Sequence, residues 1–154
     1  MSNFKFGGRS RAELNTMDPE LVLIFETALS RSMVDFGITQ GARPIEEQRE
    51  YFKTGASKLN PDNPDHLARA KHVITVDRPL ARAGDIYAAV PGFKNMAYDH
   101  AHLCYLAGVI LSTAADLLRE GKVTRRVIWG GNWDSDGVVC KDQNFQDLPH
   151  FELA

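Results

Sequence analysis

The sequence predicts an α+β domain: a small, mostly antiparallel sheet packed with helices, one of them long and buried. Three observations lead there. Strand-like segments recur without the regular strand–helix–strand spacing of a parallel sheet. One segment of about 25 residues carries an uninterrupted apolar stripe at helical spacing. The chain has 154 residues, enough for one self-sufficient core and short for two. A single domain over residues 1–154 is therefore expected.

The elements follow in order. Asp18-Pro19 reads as a helix start, with Asp as cap and Pro at the first helical position. Leu21, Ile24, Phe25 and Ala28 continue at helical spacing, giving a helix over 18–32. Residues 36–40 read as a short strand before Gly41, and 44–54 as a second helix ended by Gly55. Residues 56–70, with Pro61 and Pro64, read as a surface loop. His72 to Val76 alternates weakly, and Asp77-Arg78-Pro79 breaks it. Residues 85–90 form a strand closed by Pro91-Gly92. Leu103, Leu106, Ala107, Ile110, Leu111, Ala114, Leu117 and Leu118 make the apolar stripe, so 96–120 is the long helix, stopped by Gly121. A strand at 126–129 runs into Gly130-Gly131; 132–147 is a polar loop, and 149–153 a last strand.

Composition excludes several function classes. The formal net charge is -2, which leaves no global basic surface for nucleic acid. Hydrophobic residues are 44% and charged residues 25%, ordinary for a soluble globular domain. Two cysteines, Cys104 and Cys140, make no disulfide framework, and Cys104 reads as a buried thiol on the long helix. The opening MSNFKFGGRS has no apolar signal-peptide region, and apolar runs such as 107–111 are too short to span a bilayer.

The residues able to carry chemistry are His72, Asp85, Asp147, His150 and Glu152. Zinc in hydrolases is held by three His, Asp or Glu side chains with one position left for water. His150 and Glu152 are two apart, so on a strand they share a face, and Glu152 can orient His150 as a ligand. Pro149 pushes Leu148 to an extended conformation, placing the strand start there and Asp147 in the turn before it, free to swing toward a metal water. Spacing alone does not decide these roles: Asp147 also suits a turn, Asp85 a cap, and Arg43 a surface ion pair. His66 reads as a loop residue. His100 and His102 diverge on the long helix and read as structural or exposed.

Five segments resemble the zinc D-alanyl-D-alanine carboxypeptidase and L-alanyl-D-glutamate endopeptidase family, above all its single-domain phage endolysins. They are FKFGGRSRAELNTMDPEL at 4–21, ITQGARPIEEQ at 38–48, KH at 71–72 with AGDIYAAVP at 83–91, WGGNWDSDG at 129–137 and DLPHFEL at 147–153. The resemblance implies a zinc cleft on the sheet, one Zn2+ per chain held by His72, Asp85 and His150, and Asp147 as the base that takes a proton from water and returns it to the leaving amine. Arg43 is implied to stabilise the oxyanion or hold a substrate carbonyl or carboxylate. The chain departs from the family at Ala70, where a Ser is usual, and in the longer gap from His72 to Asp85, which brings in Asp77 as a rival ligand. The implied function is cleavage of the L-alanyl-D-glutamate bond of peptidoglycan stem peptides. The enzyme would be a monomer with no separate wall-binding domain and no stable membrane association. It would be made in the host cytoplasm without a signal peptide and act in the periplasm or cell wall after membrane permeabilisation. The alternatives are a D-alanyl-D-alanine carboxypeptidase and a catalytically silent wall-binding module.

Overall fold

The first helix, α1 (Gly8–Leu14), has no side-chain cap and no amphipathic signature to announce it. Burial holds it: Leu14 lies in the core, and Ser10 Oγ accepts a bond of 3.0 Å from Ile38 N–H, closing part of an otherwise open strand edge. The computed structural model describes residues 1–154. Helix α2 (Pro19–Arg31) starts as its sequence demands, with Asp18 accepting from Glu20 N–H at 3.0 Å and Pro19 at the first position. Strand β1 (Asp35–Gln40) follows, then α3 (Ile45–Thr54), which ends on Gly55 at φ 81°, the left-handed stop that favours glycine.

The stretch expected as loop at 56–70 contains a helix, α4 (Pro64–Arg69). Asn63 caps it by accepting from Asp65 and His66 N–H, and Pro64 supplies the preset first φ. The Pro/Asn signal marked a helix start as much as a turn. Strand β2 (Ala83–Ala89) comes next. Helix α5 (His100–Arg119) begins later than its apolar stripe suggested, because a 3₁₀ turn at Lys94–Met96 precedes the Asp99 cap, which accepts from His102 N–H at 3.1 Å. Cys104 on α5 is half-buried, not sealed in the core. By length and composition α5 is apolar enough to cross a bilayer, unlike the short runs noted in the sequence, but its apolar stripe packs against α2 and the sheet. Burying each Leu or Ile of that stripe contributes about 1.5–3 kcal/mol.

Strands β3 (Val127–Gly130) and β4 (Asp147–Leu153) complete a four-stranded antiparallel sheet in the order β1-β2-β4-β3. Asp147 is the first residue of β4, opposite Gly130, and not in a preceding turn. Pro149 is tolerated because it falls where the β3–β4 register jumps, between the pairs Gly130–Asp147 and Trp129–Phe151, so no ladder bond needs its N–H. Trp129 Nε1–H fills that gap by donating to Leu148 O at 2.8 Å. Beneath the sheet, Phe25 and Phe151 are fully buried and meet edge to face at 6.1 Å, and Phe36 packs on Phe25 at 6.4 Å. Phe25→Ala should cost about 3–5 kcal/mol in urea unfolding; a loss under about 1 kcal/mol would mean that this aromatic cluster is not the centre of the core.

Candidate active site

Antiparallel pairing of β2 with β4 sets Asp85 opposite His150. Side chains of directly opposed residues share a face of the sheet, so this pair converges whatever the loops do. His72 arrives from the segment after α4. That segment docks beside Arg43 through a short parallel bridge at Val73, with Arg43 N–H donating to His72 O at 2.8 Å and Ile74 N–H to Arg43 O at 3.2 Å. The result is a tight triangle: His72 Nε2 to Asp85 Oδ1 is 3.1 Å, His150 Nδ1 to Asp85 Oδ1 is 3.1 Å, and the two ring nitrogens are 3.2 Å apart. Both imidazoles are buried and Asp85 is half-buried. This group can hold a metal ion.

Each histidine is aimed by its other nitrogen. Gly41 O can only accept, so His72 Nδ1–H donates to it at 2.7 Å, which turns Nε2 into the triangle. His150 Nε2–H donates to Glu152 at 2.8 Å, which turns Nδ1 inward. Position 41 admits only glycine: a Cβ there would stand 2.5 Å from Thr16 Oγ1 and 2.7 Å from Glu13 O. Without metal the triangle is held by protons. Burial pulls the His150 pKa down, but hydrogen bonds and charge from Asp85 and Glu152 outweigh it, and the imidazole is pushed up to about 9. Burial acts to raise Asp85, but hydrogen bonds from His150 and His72 prevail and hold it well below the usual carboxylate range.

Asp147 lies at the rim, its Oδ2 4.0 Å from His150 Nδ1. Burial raises its pKa, the negative charge of Asp85 adds to the rise, and His150, His72 and Arg43 oppose it. Gly130 makes room for it: a Cβ on Gly130 would stand 2.0 Å from Asp147 O. Arg43 is half-buried beside the His72 strand. The rival ligand Asp77 is exposed and stands outside the triangle. His66 Nδ1 accepts from Asn60 N–H at 3.0 Å, and His102 pairs with Asp99 at 2.6 Å, so both are structural. His100 is exposed. Ala70 is buried, and its carbonyl accepts from Arg78 Nη2 at 2.8 Å. Arg78 comes from the stretch between His72 and β2 and also donates to the carbonyls of Leu67, Ala68 and Val73. Arg78 thus braces the segment that carries His72.

Two arrangements near the triangle were not read from sequence, although Trp133 lies within the WGGNWDSDG segment. Trp133 tilts against His150 with centroids 5.4 Å apart and stacks on Phe145 at 6.1 Å. Gln40, Glu47, Gln48 and Tyr51 surround Arg43. Neither has a spacing signature, because loop and helix meet there only in the fold.

The whole chain, residues 1–154, matches the family described as phage L-alanyl-D-glutamate peptidase. The L-alanyl-D-glutamate peptidase of Escherichia phage T5 is 36% identical over 66 residues, which is 42% of this chain and 48% of that protein; the match thus spans about half the length of that relative. The crystal structure of the Serratia marcescens L-Ala D-Glu endopeptidase ChiX superposes with a TM-score of 0.69 at 24% identity, over 99% of this chain and 92% of that one. At that identity the likeness speaks for the fold.

The pH dependence of metal binding follows from His150. Its pKa is raised, so below about 9 the metal-free site carries a proton that an ion must displace. Asp85, held low, needs none removed. Apparent divalent-metal affinity, measured by competition titration, should rise about tenfold per pH unit between pH 6 and 8 for one released proton. A flat profile would contradict the proton-held triangle.

Proposed function

The chain belongs to the phage L-alanyl-D-glutamate peptidase family, and from that premise we propose that it is a zinc-dependent peptidoglycan peptidase that hydrolyses the L-alanyl-D-glutamate bond of stem peptides in the wall of a bacterial host. The observation that carries this reading is the convergence of His72, Asp85 and His150, with Asp147 at 4.0 Å from His150.

The donor set fits zinc. Ligand atoms about 2.05 Å from a tetrahedral ion stand roughly 3.3 Å apart, and the edges here are 3.1, 3.1 and 3.2 Å. Two imidazoles and one carboxylate are a common hydrolytic ligand set that leaves a fourth position open. His72 Nε2, Asp85 and His150 Nδ1 would hold the ion, with one Zn2+ per chain. Bound there, zinc supplies Lewis-acid activation of water and of the scissile carbonyl.

The chain's own groups do the rest. Asp147 takes a proton from the attacking water, holds it on its carboxyl and passes it to the departing amine. A raised pKa suits that task, because the conjugate acid must survive near neutral pH long enough to protonate nitrogen. Arg43, whose charge is felt at Asp147, holds the carbonyl oxygen as it becomes negative. Gly41 and Glu152 keep both imidazoles aimed while the proton moves. Trp133 packs against one side of His150.

Asp147→Asn preserves shape and removes the base. Turnover of stem peptides should fall by about 10²–10⁴, with bound zinc unchanged by elemental analysis. Near-normal turnover would remove Asp147 from this role.

A further inference from the structure

Arg43 makes no ion pair, although the protein pairs seven of its other lysines and arginines with carboxylates. Neutral amides hold it instead. Gln40 Oε1 accepts from Arg43 Nε at 3.2 Å and from Nη2 at 2.6 Å, and Gln48 Oε1 accepts from Nη1 at 2.8 Å. The guanidinium carbon stands 4.7 Å over the Tyr51 ring. A carboxylate is close by, yet it sits one side chain away: Glu47 accepts from Gln40 Nε2 at 3.1 Å and from Tyr51 O–H at 2.8 Å.

The amide orientations are forced by their outer partners. Gln48 Nε2 faces Leu59 O at 2.8 Å and Ser57 Oγ at 2.9 Å, and a carbonyl can only accept. Gln40 Nε2 faces the Glu47 carboxylate, which also only accepts. Both amide oxygens must therefore point at the guanidinium. Gln48 is 1% exposed, so its geometry is fixed by packing as well. A guanidinium has five N–H groups; three bonds are made here, leaving two N–H groups and a full positive charge. A carboxylate in either amide's place would take a forked pair and cancel that charge.

We propose that Gln40 and Gln48 are positioning residues of the active site, neutral acceptors that aim the Arg43 guanidinium and leave its charge uncompensated for the substrate's carbonyl oxygen. This rests on the substrate-facing role given to Arg43 above. It also accounts for the placement of Glu47: the carboxylate polarises Gln40 and anchors Tyr51 without touching the cation.

The test exchanges the two partners. In Gln40→Glu/Glu47→Gln the net charge, side-chain sizes and bonding complementarity are kept, but a carboxylate now meets Arg43 directly. On a soluble muramoyl stem peptide with the zinc-loaded enzyme, kcat should fall about tenfold or more. KM should move less, with zinc content unchanged and Tm within about 3 °C of the parent or above it. Arg43→Ala run in parallel separates the two ideas. If Arg43→Ala turns over normally, the Arg43 assignment fails and this inference with it. If Arg43→Ala is inactive and the exchanged pair keeps the parent kcat, Arg43 stands and the positioning inference is overturned. Should the exchanged pair not fold, Gln40→Met at the half-buried end of β1 carries the test. A kcat reduced about threefold or more, with Tm and zinc content held, supports the inference, and an unchanged kcat overturns it.

Discussion

The structure turns on one carboxylate. Asp85 is a charge drawn into the sheet and bonded by two imidazoles whose sequence positions are 78 residues apart. Desolvating a charge this far is costly unless it is matched, and here the match to His150 depends on register. The pairing of Asp85 with His150 exists only while β2 and β4 keep their alignment; a slip of one residue would turn one partner to the opposite face. That alignment is held by the same strand's next residue, Phe151, which points the other way into the aromatic core against Phe25 and Trp129. Core packing and site geometry are thus two faces of one strand. In the metal-free state the negative charge is balanced by the proton on His150. A metal cation held in the same place would balance that charge in the proton's stead.

The second organising point is the segment from Gln40 to Arg43. Gly41 N–H donates to Glu13 at 2.8 Å, its carbonyl aims His72, and Ala42 N–H donates to Thr16 Oγ1 at 2.9 Å. Two residues on, Arg43 pairs with the His72 segment through its backbone and with Gln40 and Gln48 through its side chain. One turn after β1 therefore ties α1, the first histidine and the Arg43 guanidinium together. A helix that the sequence does not announce, α1, acquires its purpose here: it supplies Glu13 to the turn and Ser10 to the edge of β1, and Thr16, just past its end, supplies the turn's second acceptor.

Much of this was legible in the residues. Asp18-Pro19 and Gly55 mark helix ends by local chemistry, and the stripe from Leu103 to Leu117 can only be a buried helix face; these elements lie where their residues place them. The His150–Glu152 pair follows from strand alternation and is a bond of 2.8 Å. What was not legible depends on distant partners. Asp147 joins β4 because the register jump excuses Pro149, and a bulge has no signature in one strand's sequence. The loop before β4 is shaped by Gln143 and Gln146 reaching backbone carbonyls, and by the Trp133–Phe145 stack, none of it periodic. The neutral cradle of Arg43 assembles from a strand end and a helix, and reads in sequence only as unremarkable glutamines.

The central claim is that this triangle, loaded with zinc, cuts one particular amide bond of the stem peptide. The direct measurement is mass spectrometry of fragments released from purified peptidoglycan by the zinc-loaded protein, with and without a chelator. The account predicts release of stem peptides bearing a new D-glutamate N-terminus, abolished by the chelator. Release of only a terminal D-alanine would move the activity to carboxypeptidase, and no release from the zinc-loaded protein would contradict the catalytic reading altogether.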